Sequence, residues 1–72
     1  MAEERIISIL REAGASEEEL RQVRRVLDLW RRGEIGAEEV YYFIIGFARE
    51  RFIPLTPRQV SEIRLALGLP RE

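Results

Sequence analysis

Cysteine, histidine, lysine and asparagine are all missing from these 72 residues. Without cysteine there is no disulfide to staple a small core, and without cysteine or histidine there is no zinc finger to do so. The same gaps remove the commonest bases and nucleophiles: imidazole, thiolate and ε-amine. Only Asp28 and the glutamates remain as bases, with three serines, one threonine and two tyrosines as hydroxyls. Two carboxylates can act as an acid–base pair. Most of these glutamates, however, stand at helix starts, where capping and the helix dipole account for them. A chain this short also offers little room for a cleft. The expectation is a protein that is not an enzyme and uses no cofactor and no metal.

Long apolar runs are also scarce. The longest, Val40 to Ala48, is far too short to cross a bilayer. The opening Met-Ala-Glu-Glu-Arg lacks the basic head and apolar run of a secretion signal. These features point to a soluble protein. A cysteine-free chain suits a reducing cytosol without fixing the compartment. Net charge is −1, from twelve basic and thirteen acidic residues. Such a balance gives no general attraction to nucleic acid or to anionic membrane. All twelve basic residues are arginine. A GC-rich or thermophilic genome, in which arginine codons are common and labile amides few, explains that, although thermophile proteins usually favour lysine. A deliberately restricted alphabet explains it equally well.

What is present is a helix-start signal written three times, twenty residues apart: Ala15-Ser16-Glu17-Glu18-Glu19-Leu20, Ile35-Gly36-Ala37-Glu38-Glu39-Val40 and Leu55-Thr56-Pro57-Arg58-Gln59-Val60. Ser16 and Thr56 can accept from the free N–H groups of a first turn, and Glu19 and Gln59 can reach back to the cap. Ile35 with Val40, and Leu55 with Val60, have the spacing of a hydrophobic staple. Pro57 suits a first helical position, where its missing N–H does no harm.

These signals divide residues 1–72 into one domain of four helices. The first runs from Ala2 to Ala13, with Ile6, Ile9, Leu10 and Ala13 inward, Ile7 at the margin and Gly14 as its stop. The second starts after Ser16 and runs to about Arg32, with Leu20, Val23, Val26, Leu27 and Trp30 as its stripe and Gly33 after it. The third covers Ala37 to Arg51. Val40, Tyr41, Phe43, Ile44, Ile45, Phe47, Ala48 and Phe52 spread its apolar surface over roughly 200° of the wheel. A strand is the competing reading of this run. The cap before Val40 and the polar Arg49-Glu50-Arg51 after it favour helix. So wide an arc predicts a central helix packed on two sides, with Phe43 and Phe47 as its axle. Gly46, which weakens a helix by about 1 kcal/mol relative to alanine, predicts close approach of another helix. Phe52–Leu55 reads as a connector. The fourth helix carries Val60, Ile63 and Leu67 inward, ends at Gly68 and is blocked by Pro70. The fold class expected is all-α, a compact bundle of four short helices with a hydrophobic third helix at its centre. A helical-repeat solenoid also fits equal spacing, but Val26/Gly46/Ala66 and Trp30/Glu50/Pro70 do not match as repeat positions should.

Three segments resemble functional motifs in part. Asp28 to Glu39 is similar to a calcium-binding EF-hand loop at Asp28, Gly33, Ile35 and Glu39, but places Trp30 and Arg32 where oxygen ligands are required. The favoured reading is a helix stop followed by a capped helix. Arg21, Arg24, Arg25, Arg31 and Arg32 could touch phosphates, yet Glu17, Glu18, Glu19 and Asp28 interleave with them, so a solvated, charge-paired face is expected. Gln59 to Glu72 resembles the first helix and turn of a helix-turn-helix, without the recognition helix that would read DNA. Leu29, Tyr42 and Leu65 fall outside the inward stripes. If clustered they would form a surface for a second copy or another protein.

The repeated caps, the stops Gly14, Gly33 and Gly68, and the dipole-ordered charges together resemble a de novo designed helical bundle. The aromatic third helix and the irregular Phe52–Leu55 connector depart from that habit. The resemblance implies a non-catalytic helical scaffold with no intrinsic activity. The alternative is a natural interaction or regulatory module that binds a protein through aromatic and arginine residues. Nucleic-acid binding is a third and weaker alternative.

Overall fold

The computed structural model describes residues 1–71, which form four α-helices: α1 (Ala2–Glu12), α2 (Glu17–Arg31), α3 (Ala37–Glu50) and α4 (Pro57–Ala66). There is no strand among the described residues. Ser16 Oγ accepts from the Glu19 N–H at 3.1 Å while Glu19 Oε1 accepts from the Ser16 N–H at 2.8 Å. Thr56 and Gln59 repeat this reciprocal pair at 3.1 and 2.9 Å. Gly36 has no side chain, so α3 has half the device: the Gly36 N–H donates to Glu39 Oε1 at 2.8 Å.

All four helices end alike. In each, the residue after the C-cap turns left-handed and the next N–H reaches back to the carbonyl five residues earlier. These bonds are Ala15 N–H to Leu10 O, Glu34 N–H to Leu29 O, Ile53 N–H to Ala48 O and Leu69 N–H to Arg64 O, at 2.8–3.0 Å. Three of the left-handed positions are Gly14, Gly33 and Gly68; the fourth is Phe52, at φ +57°. An aromatic side chain in this region crowds its own carbonyl. The Phe52 ring is 90% exposed, so packing returns nothing for that strain. Phe52→Gly is therefore expected to stabilise the fold by about 1 kcal/mol. Urea unfolding checks this; an unchanged or lower midpoint would contradict it.

The helices close into a ring. α1 packs on α2 and α4, α3 packs on the same two, and α1 and α3 lie diagonally opposite. Contact between the first and last helices, and overall dimensions of 28 × 27 × 22 Å, distinguish this globule from a solenoid, where repeats touch only their neighbours. α3 supplies Val40, Tyr41, Ile44, Phe47 and Ala48, five of the fifteen buried hydrophobic residues and the largest share of any helix. Its centrality lies in that share, because each helix has two neighbours.

Several sequence expectations need correction. Phe43 is not an axle residue: it is 37% exposed and lies on the rim of the core, its ring stacked on Phe47 with centroids 5.5 Å apart. Phe52 contributes nothing to the core. Ile7, expected at a margin, is fully buried, because α1 is covered from two sides by α2 and α4. Gly46 has no neighbouring helix: a Cβ built on it meets nothing within 4 Å.

α4 is held differently from the rest. Within its span only Ile63 and Arg64 are buried. The Arg64 guanidinium lies 4.6 Å from the Tyr41 ring centroid, and its Nε–H donates to the Pro70 carbonyl at 2.7 Å. The long stem and planar head of arginine allow it to be buried while the charge keeps polar and aromatic partners. Arg64 thereby ties α3, α4 and the segment after Gly68 together.

Candidate interaction surface

The charged side chains are distributed unevenly. Arg24 pairs with Glu4 at 3.0 Å and Arg31 with Glu3 at 3.3 Å, joining α2 to α1. Arg5 pairs with Glu62 at 3.6 Å, joining α1 to α4. Arg11 binds Glu17 at 3.1 Å across the α1–α2 turn. Glu18 with Arg21 and Asp28 with Arg31 are close pairs along α2. Hydrogen bonds from Arg11, Arg21 and Arg31 hold the Glu17, Glu18 and Asp28 carboxyls below their usual range. These groups are exposed, so each pair adds little stability. α3 is the exception: none of Glu38, Glu39, Arg49, Glu50 or Arg51 forms an ion pair among the described residues.

The partial motifs resolve into local structure. The segment similar to a calcium loop contains the α2 stop at Gly33 and the α3 start. Asp28 is engaged by Arg31 and Arg32, and Glu39 by the Gly36 N–H. No group of three acidic side chains is placed to hold a metal ion among the described residues. The α2 arginines expected on a charge-paired face are so paired at Arg21, Arg24, Arg31 and Arg32. No helix among the described residues is long and apolar enough to cross a membrane.

Of the three side chains expected at a partner surface, Tyr42 is 65% and Leu65 52% exposed, while Leu29 is half-buried. They stand on α3, α4 and α2, and none lines the three surface hollows described here. The first hollow lies between α1 and α4 and is spanned by the Arg5–Glu62 pair. The second is walled by Ala2, Glu3, Trp30 and Arg31 at the start of α1 and the end of α2. The third, about 230 Å³, is a groove lined by Ile45, Ala48, Ile53, Leu55 and Val60 with Arg49 beside them. Of these three, it is the one whose lining is aliphatic apart from a single charge.

The exposed aromatic surface concentrates on α3 and its end. Tyr42 meets Tyr41 edge-on at 5.3 Å, Phe43 stacks on Phe47, and Arg51 covers the Phe47 ring at 4.8 Å while donating to Gln22 Oε1 at 3.4 Å. Sequence reasoning assigned Phe43 and Phe52 to the interior. A signal for Phe52 was present: Ile53 followed by Pro54 is the apolar-then-proline pattern that trails a left-handed helix stop. No protein-family model, curated protein or solved structure matches the chain.

Proposed function

We propose that this chain is a non-catalytic helical scaffold that presents the outer face of α3 to another polypeptide. The observation that carries this is the exposure of Tyr42, Phe43 and Phe52, half of the six aromatic residues, within eleven positions of one another. Single exposed apolar residues are ordinary, but exposed aromatics concentrated in one short stretch of chain are characteristic of contact surfaces. Two departures from local rules accompany them: a left-handed phenylalanine and a mid-helix glycine with open space beside it. Such departures collect where function competes with folding. Neither catalysis nor nucleic-acid binding gains similar support. The shifted carboxyls move down, away from what a general acid at neutral pH needs. Most of the α2 arginines already have carboxylate partners.

An artificial origin is supported by the complete caps and by the three glycine stops. It is compatible with the same surface, because a scaffold can be made to present one. A photo-crosslinking residue placed at position 42, compared with one at the exposed position 58, tests the reading. Position-42 adducts to a polypeptide, absent from position 58, are the expected result. Equal labelling from both sites, or none from position 42, contradicts it.

A further inference from the structure

We infer that the polypeptide received by α3 is a second copy of this chain, with the two α3 helices antiparallel about a twofold axis. The inference rests on the contact-face reading above and names its occupant. Glu38, Tyr42, Ile45 and Arg49 follow one another at spacings of four, three and four, so they share one edge of α3. Glu38, Tyr42 and Arg49 are exposed and Ile45 is half-buried. This seam is self-complementary when reversed. Glu38 and Arg49 are equidistant from the point midway between Phe43 and Ile44, and so are Tyr42 and Ile45. An antiparallel twofold pair therefore sets each Glu38 against the other copy's Arg49 and each Tyr42 against the other copy's Ile45. Closed isologous contacts require that kind of self-match.

Three independent features agree. Most charged groups of α1, α2 and α4 are paired within the chain, Glu12, Glu19 and Arg25 being the exceptions outside Arg64, whereas no charged group of α3, Glu38 and Arg49 included, forms an ion pair among the described residues. Ile45 and Arg49 both border the aliphatic groove, so a Tyr42 ring arriving at Ile45 meets Ile53, Leu55 and Val60 beyond it. Gly46, one turn from both Tyr42 and Arg49, leaves room for a second backbone that nothing within the chain uses. The opposite edge of the same face carries Glu39 and Glu50, and each would stand about 3 Å along the axis from level with the other copy's Glu50 or Glu39. Like charges there displace the contact toward the Glu38–Arg49 edge. One 14-residue helix face, about 21 Å long, makes a small interface. Association is accordingly weak, on the order of 10–100 µM.

Sedimentation equilibrium across a dilution series tests this, with circular dichroism confirming that each variant folds. Glu38→Arg and Arg49→Glu each set like charges together at both ends of the twofold and should weaken self-association by roughly tenfold or more. Mixing these two variants in equal amounts should restore it, because every facing pair is then opposite in sign. Tyr42→Ala, which leaves the helix charges unchanged, should also abolish association, and Gly46→Ala should weaken it while raising monomer stability. A native chain that stays monomeric near 1 mM, single variants that associate normally, or a mixture no better than its parts would overturn the proposal. Position-42 crosslinks to a different protein, with a monomeric native chain, would overturn the second copy and leave the contact-face reading standing. Absence of any position-42 adduct would remove both.

Discussion

Phe47→Ala is expected to lower the unfolding free energy by about 3–5 kcal/mol, the range for truncating a large aromatic in a packed core. The ring is buried against the body of the fold, with Phe43 stacked on one side and the Arg51 guanidinium near it. Truncation removes the ring's own burial, leaves a void and strips Phe43 and Arg51 of their platform. The total stability of a domain is about 5–15 kcal/mol, and small domains lie toward the lower end. The variant should therefore be largely unfolded near the native chain's melting temperature, which a thermal scan by circular dichroism would show. A loss below 1 kcal/mol would mean that the inner face of α3 is not what holds the fold.

Ile63→Ala should be nearly as damaging, at about 2–5 kcal/mol, through a narrower route. α4 buries only Ile63 and Arg64 within its span, and Ile63 is completely enclosed. Removing it leaves Leu67, the half-buried Val60 and Ala66, and the Arg64–Tyr41 contact to seat the helix. Hydrogen exchange on this variant should show the α4 amides opening at lower free energy than those of α1 and α2, as expected for the element with fewest buried contacts. Uniform protection across all four helices would indicate that α4 is seated by something other than these side chains.

Much of this fold was legible in the chain because its boundaries are local events. Ser16 with Glu19, Thr56 with Gln59, and Gly14, Gly33 and Gly68 act within a few residues, so their hydrogen bonds follow from spacing alone. The inward faces were less legible because periodicity fixes which residues share a side, not how many neighbours that side has. Ile7 is buried since α1 is flanked by two helices. Phe43 falls at the rim since the covered arc of α3 stops short of it. Phe52 escaped for another reason: a bulky residue in a left-handed stop violates local preference, so residue type argues against the position that the following Ile53-Pro54 marks. Of the contact face proposed above, one residue, Tyr42, was visible in the sequence. Its seam partners Glu38 and Arg49 stood out only once the ion pairs of the other helices were seen.

The central claim is that α3 has two working faces, one that holds the bundle and one turned outward for contact. Urea titration of Tyr42→Ala beside Phe47→Ala, at chain concentrations too low for self-association to contribute, measures both faces on one scale. The prediction is a change within about 0.5 kcal/mol for Tyr42→Ala against several for Phe47→Ala. Comparable losses from the two substitutions would contradict it, because both rings would then belong to one interior.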